Sequence, residues 1–135
     1  MIDDYKVIGI ITIPKINLKY PILDRTDNKG MKLSITKFWG SELNEIGNVT
    51  LAGHNNRDGT MFGKTKNLEK GDIIQITDMK SRTLDYEVFD YYIIDPNDVS
   101  CVESIDGSTK EVTLITCSNG NKKRLVTKAR EINDK

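Results

Sequence analysis

The sequence contains one histidine, His54, and two cysteines, Cys101 and Cys117. A thiol attacks a carbonyl carbon as the thiolate, and imidazole is the side chain that can take and return a proton near neutral pH. With reference pKa values of ~8.5 and ~6.5, independent titration at pH 7 leaves about 3% of a cysteine and about a quarter of a histidine charged, so both together in ~1% of molecules. Proximity raises that population because thiolate and imidazolium attract, and the imidazolium can then protonate a departing amine. Acyl transfer also needs a donor for the developing oxyanion, and arginine stays protonated and offers several. Arg124 stands seven residues after Cys117, across the turn-forming string SNGN (118–121). If the flanking segments pair as antiparallel strands, Arg124 returns beside Cys117. Arg130 is the rival but sits near the far end of the second segment, and Arg57 and Arg82 have no such relation to Cys117.

These residues need a rigid frame, and the pattern of β-branched residues supplies strands. VIGIITIP (7–14) reads as a strand stopped by Pro14, and INLKYPIL (16–23) as a second in which Pro21 marks an edge or a bulge. Residues 24–46 show no strong period and read as irregular, with one or two short helical turns. GNVTLAGH (47–54) is a short apolar strand ending at His54, followed by the turn-rich NNRDG (55–59). TMFGKTKNLEKGD (60–72) can hold a helical turn. DIIQIT (72–77) and TLDYEVFDYYIID (83–95) are strand-like, 96–110 is polar and turn-prone, EVTLITC (111–117) is a buried strand ending at Cys117, and KRLVTKAREI (123–132) is the last strand. Both His54 and Cys117 therefore fall where a strand gives way to a loop, which fixes the backbone and leaves the side-chain tip accessible. Strands recurring at short spacing, with few helices, predict an all-β barrel or sandwich.

Composition bounds the alternatives. The 135 residues match one domain, and twenty basic residues balance twenty acidic ones. A zero net charge with no aromatic platform argues against nucleic acid. The run KKRLVTKAR (122–130) is basic and residues 95–106 are acidic, each most simply a solvated surface. No stretch is long and apolar enough to span a membrane, and MIDDYKVIGI does not have the order of a signal peptide. Either the protein is cytosolic or the sequence begins after a leader or anchor.

Taken singly, each residue has a plainer reading. A lone histidine in a β domain is usually structural, and a cysteine after an apolar strand is usually a small buried hydrophobe. Cys101 keeps that reading, and a disulfide to Cys117 would silence the nucleophile. Asp58, Asp98, Glu103 and Asp106 lack the spacing of a calcium loop, so no metal and no cofactor are expected. Asn55 either orients His54 and reaches substrate or simply makes the turn. A cysteine hydrolase and a non-catalytic surface binding barrel remain open beside a transferase.

Three strings carry a more specific signal. TLITC (113–117) with an arginine seven residues later resembles the signature of the sortases. GNVTLAGHN (47–55) resembles their histidine strand, and IGIITIPKINLKYPIL (8–23) their first two strands. The resemblance runs over roughly residues 7–132 in the order His, Cys, Arg. It implies an eight-stranded β-barrel with short helices in its connections, forming one catalytic domain over residues 1–135. It also implies an enzyme anchored on the outer face of a Gram-positive cell membrane, with the anchor preceding this sequence. Its substrates would be surface or pilin proteins with an LPXTG-like motif near the C-terminus, joined to an amine of a peptidoglycan precursor or a pilin. Carried over by position, Cys117 would be the nucleophile, His54 the general acid, Arg124 the oxyanion and substrate stabiliser, and Thr116 a lesser contributor to the substrate groove. The short SNGN connection and the absence of a calcium cluster favour a class B or class D type.

Overall fold

A computed structural model describes residues 5–40, 42–45, 47–54, 61–95, 110–117 and 124–132; at Asn28, Lys32 and Cys117 the description is of the main chain alone. Eight strands close into a barrel: β1 (Val7–Ile13), β2 (Leu18–Leu23), β3 (Ile35–Gly40), β4 (Gly47–His54), β5 (Ile73–Asp78), β6 (Thr83–Ile94), β7 (Lys110–Cys117) and β8 (Arg124–Glu131). Around the barrel the order is β1-β2-β3-β4-β7-β8-β6-β5. Among the described residues the helical content is one six-residue helix, α1 (Asn28–Leu33), and two 3₁₀ turns at Pro14–Ile16 and Thr65–Asn67. This is the barrel with short connecting helices that the resemblance implies, and it decides between the barrel and the sandwich that the strand pattern left open.

Proline and asparagine make the first corner. Pro14 opens the 3₁₀ turn that ends β1, and Asn17 closes it in the left-handed region at φ 53°, which asparagine tolerates. Pro21 pairs with Ile10 of β1, one residue before β2 begins to pair with β3 at Ile22 and Leu23. An imino acid suits that position because no ladder bond from its nitrogen is needed there. Before α1, the carboxylate of the N-cap Asp27 accepts from Gly30 N–H at 2.7 Å and from the Tyr5 hydroxyl at 2.5 Å, so one side chain caps the helix and ties Tyr5 to it.

The segment 24–46, read as irregular from sequence, contains β3. Two features hide it. The strand is bulged between Lys37 and Trp39, and its second half carries Phe38 and Trp39 outside, 47% and 60% exposed. The apolar alternation that signals a strand therefore breaks halfway along.

Inside the barrel, Ile11, Ile22, Leu51, Ile74, Val112 and Leu114 are all fully buried. Truncating one of these to alanine costs on the order of 2–5 kcal/mol. β4 and β7 lie side by side and parallel over eight rungs, from Gly47 opposite Lys110 to His54 opposite Cys117. Both faces of this central pair are closed from solvent. Val49 and Leu51 join the core, while Asn48, Thr50 and Ala52 on the alternate face are each under 5% exposed. A parallel pair buried on both sides reads as a near-continuous run rather than an alternation, which is why GNVTLAGH and EVTLITC both look like solid blocks in sequence.

Candidate active site

The last rung of the β4–β7 ladder sets His54 and Cys117 opposite one another as Cα partners. Neighbouring strands lie about 4.8 Å apart, so the two residues are adjacent although 63 positions separate them in sequence. Strand phase is reported lower on the ladder, where Thr113 Oγ1 donates to Asn48 Oδ1 at 2.8 Å. Even positions of β4 and odd positions of β7 therefore share a face, and rung 54–117 is in that phase. His54 is half-buried, with its backbone fixed by the strand.

Arg124 opens β8, antiparallel to β7. The register runs Glu111–Arg130, Thr113–Lys128, Ile115–Val126. One rung further, Thr116 Oγ1 donates to the Leu125 carbonyl at 3.3 Å and accepts from the Leu125 N–H at 3.1 Å. The last paired rung is Ile115–Val126, and continuing that register two steps brings Arg124 toward Cys117. Arg124 pairs with Ile94 of β6, which sets its main chain. The residue is half-buried, and its Nε is shut off from solvent. Three strands thus bring His54, Cys117 and Arg124 to one end of the barrel.

The remaining candidates divide. Thr116 is 5% exposed and its hydroxyl is engaged with Leu125, so it ties β7 to β8 directly beneath Arg124. Arg130 stands at the far end of β8, its guanidinium 5.1 Å from the Phe89 ring, and Arg82 is bound to Asp78 and Glu45. Neither of these arginines neighbours Cys117 in the ladder. Asn55, Arg57, Asp58, Asp98, Cys101, Glu103, Asp106 and the SNGN turn lie outside the described residues. Among the described residues, no three His, Cys, Asp or Glu side chains are grouped to hold a metal ion, and no helix is long and apolar enough to cross a membrane.

Sequence reasoning missed the residues behind His54. Gly53 has no room for a Cβ, which would come within 2.6 Å of Ile35 Cδ1 and 2.7 Å of Phe62 Cδ2. The glycine preceding the histidine, followed nine residues later by a phenylalanine, was the available signal. It shows only once the chain folds back.

Comparison with known proteins gives one consistent answer. The family model "Sortase domain" matches residues 11–132. Sortase A of Bacillus anthracis is 33% identical over 128 residues, covering 93% of this chain and 60% of the relative. Sortase D of Bacillus subtilis is 34% identical over 110 residues, covering 81% of this chain and 53% of the relative. Among solved structures, Clostridium perfringens sortase C with the C-terminal cell wall sorting motif superposes with a TM-score of 0.83 at 26% identity. That superposition covers 95% of this chain and 71% of the other. The chain spans between half and three-fifths of the length of these two curated relatives.

Proposed function

Since the chain belongs to the sortase family, we propose that it is a cysteine transpeptidase whose single catalytic domain occupies residues 1–135. The observation that carries this reading is the terminal β4–β7 rung, His54 beside Cys117, with Arg124 opening β8 next to Leu125, whose N–H donates to Thr116 Oγ1. The Cys117 thiolate attacks the carbonyl carbon between the threonine and glycine of an LPXTG-like motif, forming a C–S bond. The carbonyl electrons move onto oxygen, and the Arg124 guanidinium stabilises that charge. A fixed donor of this kind is worth on the order of 10²–10³ in rate. As the tetrahedral species collapses, the C–N bond breaks and the His54 imidazolium gives its proton to the departing glycine amine, leaving a thioester on Cys117. An incoming amine then attacks the thioester, its proton passes to His54, and the thiolate leaves.

Substrates are surface or pilin proteins bearing the motif, and the acceptor is an amine of a peptidoglycan precursor or a pilin. The relative whose structure holds a sorting motif supports the first of these. The enzyme works at the outer face of the membrane of a Gram-positive bacterium, held there by an N-terminal anchor outside this sequence. Asn55 is a candidate substrate contact, and Thr116 acts by fixing the β7–β8 junction that carries Arg124.

The test is intact-protein mass spectrometry after incubation with a panel of LPXTG-like peptides, with and without a small amine. The expected result is an acyl adduct on the wild type, absent from Cys117→Ala and discharged faster by amine. Cleavage to free acid at a rate indifferent to amine would make the enzyme a hydrolase. No adduct across the panel, with a Cys117 thiol no more reactive than free cysteine, would overturn the catalytic reading.

A further inference from the structure

The imidazole of His54 can only serve if its backbone is held where β4 ends, and two hydrogen bonds and one ring do the holding. The N–H of Phe62 donates to the His54 carbonyl at 2.9 Å. The N–H of the preceding residue, Met61, donates to the Tyr20 hydroxyl on β2 at 2.8 Å. The Phe62 ring, 1% exposed, lies against Gly53 where no Cβ fits. Between the two bonds, Met61 adopts φ 54°, a left-handed conformation that side chains rarely take and that surrounding contacts must maintain. Tyr20 itself packs against the core as a partly buried ring. A phenylalanine would serve that packing equally, so the hydroxyl is accounted for by Met61.

We infer that Tyr20 is a positioning residue for His54, acting through Met61 and Phe62. Its hydroxyl holds Met61 in the left-handed turn. That turn presents the Phe62 N–H to the His54 carbonyl and seats the Phe62 ring behind Gly53. The carbonyl and the flanking glycine then fix the direction in which the imidazole leaves the strand. The inference rests on His54 having the catalytic role proposed above. It adds a residue from β2, which does not border β4 in the barrel, to the machinery that sets the histidine.

The experiment is Tyr20→Phe, which deletes the hydroxyl and keeps the ring. His54 is the chain's sole histidine, so its imidazole NMR signals are read without overlap. In Tyr20→Phe we expect those signals to shift or broaden. The kcat of peptide-to-amine transfer should fall about five- to twentyfold, less than the roughly hundredfold that a displacement of about 1 Å can cost. KM for the peptide should stay within about twofold, because ground-state binding is untouched. Asparagine tolerates the left-handed region better than methionine, so Tyr20→Phe/Met61→Asn should recover part of the loss. Unchanged imidazole signals and kcat in Tyr20→Phe would overturn the inference, and no recovery in the double variant would overturn the route through Met61. Failure of the catalytic reading looks different: His54→Ala would then transfer as well as wild type, while the NMR comparison still reports whether Tyr20 sets the ring.

Discussion

The two ends of β4 carry polar residues under opposite rules. At its start, about 23 Å from His54 at ~3.3 Å per residue, the connection from β3 is locked by Asn44. Its amide donates to the Ile76 carbonyl, the Asp78 carboxylate and the Arg82 carbonyl at 3.1, 3.3 and 3.1 Å. Its own carbonyl oxygen accepts from the buried Tyr86 hydroxyl at 3.0 Å. Asp78 in turn accepts from the N–H groups of Lys80 and Arg82 and from the Arg82 guanidinium, which also bridges to Glu45. At the other end, His54 and Arg124 sit half-buried where their strands begin or stop. A cleft of about 490 Å³ opens at the Asn44 end, lined by Lys6, Glu42, Asp78 and Arg82 among others. A residue engaged by four hydrogen bonds holds structure. A titratable residue at a ladder's last rung has its main chain fixed by the strand, which suits a group that must be presented in one place.

Substitution should separate the two ends. The largest effect is expected from Cys117→Ala, which should lower transfer by about 10⁴ or more while leaving the thermal midpoint within a few degrees. Residual turnover close to wild type would erase the distinction. Arg124→Lys keeps the charge but loses the planar fork, and steady-state kinetics should record a loss of about 10–100-fold. An equal loss in Arg130→Lys would show that register does not select the functional arginine.

Asn44→Ala should behave in the reverse way. It strips partners from Tyr86 and from two carbonyls, and urea denaturation should register a loss of about 2–4 kcal/mol with turnover per folded molecule unchanged. A drop in turnover without a drop in stability would mean the ends are coupled.

The smallest effect concerns acid. Burial pushes the Asp78 carboxyl up, but the hydrogen bonds from Arg82, Lys80 and Asn44 together outweigh it and hold the group below its usual range. The Arg82 hydrogen bond lowers Glu45 in the same way, and the Tyr5 hydroxyl, followed by Gly30 N–H, lowers Asp27. Each depressed carboxyl contributes stability that is fully present above the unfolded values of ~3.9 and ~4.3 and is lost as pH falls through the folded ones. Thermal midpoints should therefore hold steady from pH 7 to about 5 and decline below about pH 4, with a shallower decline in Asp78→Asn. An identical acid slope in that variant would remove Asp78 from the account.

Much of this was legible beforehand because strand pattern and turn chemistry are local. VIGIITIP, DIIQIT and EVTLITC announce themselves by β-branched residues. Pro14 and Asn17 make a turn from their own backbone preferences. His54 and Cys117 can each be placed at a strand end without any knowledge of the rest. β3 was not legible, because its bulge and the outward Phe38 and Trp39 break the alternation that would have revealed it.

The sequence by itself determined every strand but β3, about where each of them stops, and which three residues could share a catalytic task. Tertiary structure alone decided that β4 and β7 run parallel and in a register that ends on His54 and Cys117. It also decided that Tyr20 reaches Met61 behind them. Parallel neighbours, and contacts between strands that do not adjoin, are set by closing the barrel, and no local pattern of residues encodes a register 63 positions away.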